Sequence, residues 1–284
     1  MSTEKPRQIA ARALEQYTRD ARHLEYILEP VLAKAALAPA DRALVQELAF
    51  GVVRWQGTLD WLIDCKIQAR PPLPLVRIIL RLGLYQIFWL SRIPDHAAVH
   101  ETVELSKAMG CGAQSGLINA VLRGYLRERE ATLQRLAGLK KDRPALGYSH
   151  PDWLCARWRE RWGEEQVRSL LSWNNTPPPV YARLNTLRAD AGMLAAQWGA
   201  EGVIFAPRSW DWTGDELAFE LQQFPSLASL LSFQHGWFYV QDPSTLLAVR
   251  ELAPQPGESV LDLCAAPGGK TTYIAQLMRN EGRL

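Results

Sequence analysis

The fold of this chain is decided by one stretch, Val260-Leu-Asp-Leu-Cys-Ala-Ala-Pro-Gly-Gly-Lys-Thr-Thr272. Its apolar start, Val260–Leu263, predicts a buried parallel strand, and the Pro-Gly-Gly that follows predicts a sharp turn. Apolar residues then recur at helical spacing up to Met278. A strand that passes through glycines into a helix leaves unpaired backbone N–H groups at the helix start, where the helix dipole favours an anion. The stretch therefore predicts a loop that binds a cofactor or a nucleotide.

Two common loops of this kind are excluded by the positions of the glycines. A P-loop, Gly-x-x-x-x-Gly-Lys-Ser/Thr, would need its first glycine at the position of Cys264. The dinucleotide fingerprint Gly-x-Gly-x-x-Gly is also absent, because Gly268 and Gly269 are adjacent. An ordinary strand-to-helix turn with chance glycines remains as the alternative.

The composition is that of a soluble globular protein of about two domains, with 284 residues, 48% apolar and 22% charged. A net charge of +2 is too small to indicate a polyanion partner, so any nucleic-acid surface must be local. The four cysteines have neither metal-ligand nor disulfide spacing, and His96 and His100 lack a third ligand nearby. The apolar run Leu73–Leu90 is interrupted by arginines and is too short to span a membrane. We therefore expect a cytoplasmic protein with no metal and no membrane partner.

Residues 1–130 are predicted to form an all-α bundle. Apolar side chains recur every three or four residues along a helix that runs from Ala10 through Ala21 to Leu28, and the same period returns in later segments. Several arginines in this region are candidates for contact with RNA phosphates or for a solvated helix face, two alternatives that the sequence leaves open: Arg54, Arg77, Arg81, Arg123, Arg127 and Arg129.

The remaining chain is predicted to be a linker followed by α/β structure. Residues 131–150 have the composition of a linker, because charged residues gather at 140–143 before Pro144. Residues 151–235 are predicted to form a small α/β subdomain, and residues 236–284 begin a further α/β domain. Strands are predicted at Val180–Leu184, Gly202–Phe205 and Trp237–Gln241. The helical spacing of four tryptophans favours core packing over stacking on bases: Trp153, Trp158, Trp162 and Trp173.

A family resemblance is carried by both ends of the chain. The run Asp262-Leu-Cys-Ala-Ala-Pro-Gly-Gly-Lys-Thr271 closely resembles the first cofactor motif of the Sun-type RNA cytosine-5 methyltransferases, which bind S-adenosylmethionine. Residues 1–130 resemble the NusB-type RNA-binding domain that precedes the catalytic part in bacterial members. The matching segments are Asp41-Arg-Ala-Leu44, Gly51-Val-Val-Arg54, Arg81-Leu-Gly-Leu-Tyr85, Ile93-Pro94, Glu101-Thr-Val-Glu-Leu105 and Asn119-Ala-Val-Leu-Arg123.

The resemblance implies a fold of three parts. A NusB-like all-α bundle would be followed by a small α/β subdomain and by the first βα unit of a Rossmann-like methyltransferase domain. In the family, an Arg-x-Asn-Thr segment lies in a small subdomain that helps to hold RNA, and here this segment is Arg183-Leu-Asn-Thr186.

The resemblance also implies a cofactor and a substrate. The cofactor would be S-adenosyl-L-methionine, and its site would consist of seven consecutive residues: Cys264, Ala265, Ala266, Pro267, Gly268, Gly269 and Lys270. The substrate would be small-subunit ribosomal RNA, in which the enzyme forms 5-methylcytosine. We expect a monomer.

A nucleophilic cysteine is needed for this chemistry, since cytosine C5 becomes reactive only after a thiolate adds to C6. In the family this cysteine lies in a Thr-Cys-Ser context, which does not occur here. Cys264 matches the cofactor motif instead, so we name no catalytic residue. We expect an N-terminal fragment of a longer enzyme or a truncated product, inactive alone in either case, with poor order or exposed apolar surface from about Glu258 onward. The alternative is a non-catalytic NusB-like RNA-binding adaptor in antitermination or ribosome assembly.

Overall fold

Two units, Met1–Thr176 and Pro177–Leu284, make up the chain in the computed structural model. The structure describes residues 5–20, 22–35, 37–68 and 70–284. The helices that it describes in the first unit are α1 (Pro6–Asp20), α2 (Leu24–Lys34), α3 (Pro39–Arg54), α4 (Gln56–Lys66), α5 (Pro74–Trp89), α6 (Asp95–Ala108), α7 (Ser115–Arg127), α8 (Arg129–Asp142), α9 (Pro144–Gly147) and α10 (Asp152–Asn174). The predicted all-α bundle is therefore confirmed.

Helix α5 is the centre of this bundle. Eleven of its sixteen residues are buried, because neighbouring helices pack on nearly all of its faces. The buried Arg81 is matched by a carboxylate, since its guanidinium donates to both oxygens of Asp60 at 2.8 and 2.7 Å. Gly51 of α3 permits close contact with α5, because a Cβ atom there would overlap the ring of Tyr85. The apolar period of α5 thus reports a fully packed central helix.

The helix predicted from Ala10 to Leu28 is two helices. Helix α1 ends at Asp20 and α2 begins at Leu24, while Ala21 lies outside the described residues. The backbone of His23 is extended, with φ −59° and ψ 135°, which ends the helical path. Apolar spacing does not reveal the break because both helices bury their apolar faces in the same core.

The predicted linker at 131–150 is largely helical. Helix α8 covers Arg129–Asp142, and the basic residues of the predicted linker lie in its last turn, where cations are favourable to the helix dipole. Two hydrogen bonds join the following segment to α4: the amide of Gly57 donates to Ser149 at 2.7 Å, and Thr58 donates to the Leu146 carbonyl at 2.7 Å. Charge clustering before Pro144 thus marks a helix end.

The prediction that the four tryptophans of α10 pack in a core is wrong for three of them. Trp153, Trp162 and Trp173 are 67%, 44% and 65% exposed. These rings lie off the face that α10 buries, and a kink at Gly163, where φ is 78°, interrupts the helix between Trp162 and Trp173. A small core instead takes up Cys155, Val167 and Leu171, with Trp158 packed against it.

The second unit is built on an antiparallel sheet with the order β2-β3-β1-β4. Its described elements are β1 (Val180–Leu184), α11 (Ala191–Glu201), β2 (Ile204–Arg208), β3 (Ala218–Gln223), α12 (Leu231–Gln234), β4 (Phe238–Val240), α13 (Ser244–Leu252) and α14 (Gly269–Leu277). Strand β1 agrees with its predicted bounds, whereas β3 was not predicted. Because β4 pairs with β1, one sheet extends across the predicted domain boundary at 235/236.

The strand predicted at Val260–Leu263 is wrong: this segment forms no ladder, and a turn begins at Leu263. A single parallel bridge joins the neighbouring Ser259 to Arg283. A strand needs partners for its backbone groups, and among the described residues only this short contact supplies them. Leu261 and Leu263 are 80% and 85% exposed, which confirms the expected apolar surface in this region.

We predict that Trp198→Ala destabilises the second unit by about 3–5 kcal/mol, the usual cost of removing a large buried ring. Trp198 is fully buried, and its ring centroid lies 4.8 Å from that of Phe205 and 5.2 Å from that of Phe238. Trp198→Phe should cost less, because it keeps an aromatic ring and removes an indole N–H that has no partner. Urea unfolding followed by circular dichroism measures both changes. Equal stability of the alanine variant and the wild type would contradict the assigned core.

Candidate cofactor-binding loop

The candidate site is the turn that leads into α14. The seven residues from Cys264 to Lys270 form one continuous surface, with Cys264–Pro267 exposed and Gly268–Lys270 half-buried. Gly268 caps the helix in a left-handed conformation, with φ 111°, which side-chain-bearing residues rarely adopt. The first of the two adjacent glycines is thus required by the turn itself.

Asp262 holds the two ends of the turn together. Its carboxylate accepts a hydrogen bond from the Cys264 amide at 3.0 Å and another from the Thr271 hydroxyl at 2.7 Å. Thr271 also donates to the carbonyl of Ala265 at 3.3 Å. Asp262 therefore shapes the loop, since both of its oxygens are occupied by loop atoms.

The carbonyls of Pro267, Gly268 and Gly269 accept hydrogen bonds from side chains of the sheet and of α14. Tyr239 of β4 donates to the Pro267 carbonyl at 2.9 Å, and Arg183 of β1 donates to the Gly269 carbonyl at 3.1 Å. The hydroxyl of Thr272 donates to the Gly268 carbonyl at 2.8 Å. Three consecutive carbonyls thus have side-chain donors.

The backbone amides at the start of α14, in contrast to these carbonyls, have no hydrogen-bond partners among the described residues. Among the described residues, no acceptor receives the N–H groups of Gly268, Gly269, Lys270 and Thr271. This is the expected state of the first turn of a helix, and the positive end of its dipole lies here. Lys270 adds a cation that makes no ion pair with the described residues. The loop therefore offers donors and positive charge to a ligand with a carboxylate or another anion.

The second glycine allows the sheet to approach the loop. A Cβ atom at position 269 would lie 3.0 Å from the side-chain amide nitrogen (Nε2) of Gln241 and 3.1 Å from its side-chain carbonyl carbon (Cδ). Any side chain at Gly269 would therefore displace Gln241, which follows β4.

Arg183 and Tyr239 are the supporting residues that sequence reasoning missed. The family resemblance linked the segment beginning at Arg183 to RNA, but its side chain turns to the loop. Arg183 is only 2% exposed and lies between the rings of Tyr239 and Tyr273, 5.8 and 5.0 Å from their centroids. Burial lowers the pKa of the Arg183 guanidinium to about 10. The alternation of side chains along β1 places Arg183 on the same face of the sheet as Tyr181. This spacing alone does not indicate that Arg183 contacts the loop.

A cavity of about 470 Å³ lies beside the loop in the second unit. Its lining includes Arg183, Asn185, Arg188, Tyr239 and Thr272, with no carboxylate among the described lining residues. The cavity therefore has the polarity of a site for a neutral or anionic group.

Three thiols of the chain are poorly suited to nucleophilic attack. Burial raises the pKa of Cys65, Cys111 and Cys155, which keeps these thiols protonated at neutral pH. Cys264 is exposed on the loop.

In the ranges that the structure describes, no three His, Cys, Asp or Glu side chains are grouped as a metal site requires. None of the helices in those ranges has the length and apolarity to cross a bilayer.

Three of the six arginines considered for RNA contact form ion pairs with carboxylates, and Arg123 donates a hydrogen bond to Asn119 at 3.0 Å. Arg77 and Arg81 pair with Asp60, and Arg129 pairs with Asp95 at 2.6 Å. Arg123 and Arg127 lie exposed on α7, which leaves them as the better candidates for phosphate contact.

We predict that Asp262→Ala loosens the loop, because it removes the acceptor of both the Cys264 amide and Thr271. Hydrogen exchange of the Cys264 amide, which donates to Asp262, should become roughly tenfold faster, as expected for the loss of this hydrogen bond. Asp211→Ala is the matched control, since Asp211 is exposed and has no partner among the described residues. Unchanged exchange in the Asp262 variant would contradict the assigned role.

Comparison with known protein families gives three consecutive matches. The NusB family matches residues 4–127, the RsmF/B-like methyltransferase ferredoxin-like domain matches residues 150–214, and the 16S rRNA methyltransferase RsmB/F family matches residues 249–284. The last match includes the whole candidate loop.

Curated relatives match nearly the whole chain. A probable ribosomal RNA small subunit methyltransferase B from Synechocystis sp. is 36% identical over 98% of this chain and 62% of the relative. Ribosomal RNA small subunit methyltransferase B from Escherichia coli O1:K1 is 38% identical over 95% of this chain and 61% of the relative. The chain thus spans about three fifths of the length of these relatives.

A solved structure shares the fold. The crystal structure of PH0851 covers 98% of this chain with a TM-score of 0.66, and this chain covers 62% of it at 20% sequence identity. This chain therefore contains a NusB region followed by two regions that match RsmB/F methyltransferases, and it is similar over nearly its whole length to ribosomal RNA small subunit methyltransferases B.

Proposed function

We propose that this chain is the RNA-binding and cofactor-binding part of an S-adenosylmethionine-dependent enzyme that forms 5-methylcytosine in small-subunit ribosomal RNA. The observation that carries the proposal is the loop at 264–270, whose carbonyls are engaged and whose amides face no protein acceptor. The family matches and the names of the relatives support methyl transfer to ribosomal RNA.

The residues of the loop fit the methionine end of S-adenosylmethionine. Its carboxylate would accept hydrogen bonds from the amides of Gly268–Thr271, and Lys270 would add a favourable charge. The cofactor supplies an electrophilic methyl group on its sulfonium. Gly268 and Gly269 let a ligand approach the backbone closely, because neither residue has a side chain.

We assign the nucleophile for cytosine C6 to none of the four cysteines of this chain. The three cysteines with raised pKa values are unsuitable, and Cys264 belongs to the cofactor loop. The 284-residue chain should therefore bind cofactor and RNA without transferring a methyl group. Transfer is tested with the protein at its natural length, using 16S ribosomal RNA and a radiolabelled donor. A label found anywhere other than cytosine C5 would contradict the proposed reaction.

We predict that Gly269→Val weakens the binding of S-adenosylmethionine by the 284-residue chain at least about tenfold, because the new side chain displaces Gln241 and covers the loop amides. The matched control is Gly199→Val, since a Cβ atom at position 199 would meet nothing within 4 Å. Equilibrium dialysis with radiolabelled S-adenosylmethionine measures both affinities. Tight binding by the Gly269 variant, or none by the wild type, would contradict the proposed site.

A non-catalytic RNA-binding adaptor is the second candidate. It is favoured by the NusB match at residues 4–127 and by the exposed Arg123 and Arg127. The same dialysis experiment separates the candidates when RNA binding is measured in parallel. RNA binding by a chain that does not bind S-adenosylmethionine would favour the adaptor.

A further inference from the structure

We infer that Arg183 is a positioning residue of the cofactor loop, which it holds from β1 by donating hydrogen bonds to the Gly269 carbonyl and to Thr272. The inference rests on the proposed function, since it concerns the same loop. It gives the first residue of the Arg183-Leu-Asn-Thr186 segment a role toward the cofactor instead of toward RNA.

The contacts reach the first turn of α14 at two points. The Nη1 group of Arg183 donates to the Gly269 carbonyl at 3.1 Å, and its Nη2 group donates to the Thr272 hydroxyl at 2.9 Å. Thr272 in turn donates to the Gly268 carbonyl at 2.8 Å. One guanidinium therefore acts on two consecutive peptide groups, directly on one and through a hydroxyl on the other.

Peptide planarity converts a held carbonyl into an oriented amide. The C=O and N–H bonds of a trans peptide point in opposite directions. When Arg183 holds the Gly269 carbonyl toward the sheet, the Lys270 amide of the same peptide must point away from it. The Gly269 amide is oriented in the same way through the Gly268 carbonyl and Thr272. These are amides that the proposed function assigns to the cofactor carboxylate.

The energetic cost of Arg183 indicates a requirement for geometry. It is 2% exposed, it has no carboxylate partner among the described residues, and its Nε atom has no hydrogen-bond acceptor. A well-packed apolar side chain is commonly no less stable than a buried charge of this kind. The rings of Tyr239 and Tyr273 compensate in part by cation–π contact, and they also hold the guanidinium in place.

A lysine at this position would keep the charge but lose the fork. An ammonium group is a compact donor, whereas the planar guanidinium reaches two acceptors at fixed angles. Arg183→Lys therefore separates charge from geometry. The matched control is Arg208→Lys, because Arg208 of β2 belongs to the same sheet but pairs with Glu220 at the surface, 2.6 Å away.

Two measurements on the 284-residue chain test the inference. In Arg183→Lys we expect hydrogen exchange of the Thr272 amide, which donates to the Gly268 carbonyl at 2.9 Å, to become roughly tenfold faster, with no change at β3, and binding of S-adenosylmethionine to weaken by about the same factor. RNA affinity should stay at the wild-type value. Arg208→Lys should change none of these quantities. The exchange measurement needs no ligand, so it reports on Arg183 even when the cofactor assignment fails.

Three results would overturn the inference. The first is unchanged exchange of the Thr272 amide in Arg183→Lys. The second is faster exchange across β1, β3 and β4 as well as at Thr272, since that pattern indicates a general structural role. The third is a loss of RNA affinity with unchanged S-adenosylmethionine affinity. By contrast, absence of S-adenosylmethionine binding in the wild type would refute the proposed function alone.

Discussion

The opposed directions of C=O and N–H in a planar peptide are the constraint on which the candidate site depends. Side chains hold the carbonyls of Pro267, Gly268 and Gly269 on the protein side of the turn. The amides that follow are consequently presented at the other side, at the positive end of the α14 dipole. A loop with this arrangement favours an anionic ligand through its backbone amides, independently of contacts made by the loop side chains.

The site is assembled from elements with different strengths of local signal. Glycines, an aspartate and two threonines within eleven residues determine the turn, so the candidate loop could be predicted from the sequence. Arg183 could not, because it is 86 residues from Gly269 along the chain, and only the antiparallel sheet brings them together. The strand predicted at Val260–Leu263 failed for a related reason: an apolar run states a preference, and a strand also needs partners.

The same distinction explains the helical unit. Its bundle follows from apolar periodicity, and α5 is apolar on nearly all faces because it is buried on nearly all sides. The chain changes direction at the break between α1 and α2 and again at the kink at Gly163. Neither change in direction is visible in the spacing of apolar residues or in the composition. Trp153 and Trp162 are exposed ahead of that kink, because the buried face of α10 is formed by Cys155, Val167 and Leu171. Basic residues before Pro144 suggested a linker, but they lie in the last turn of α8.

The most direct test of the central claim is a titration of the ¹⁵N-labelled chain with S-adenosylmethionine, followed by the chemical shifts of the backbone amides. We predict that the signals of Gly268, Gly269, Lys270 and Thr271 shift together and saturably, while those of the helical unit stay in place. Binding that shifts other amides and leaves these four unchanged would contradict the claim that the loop before α14 holds the cofactor.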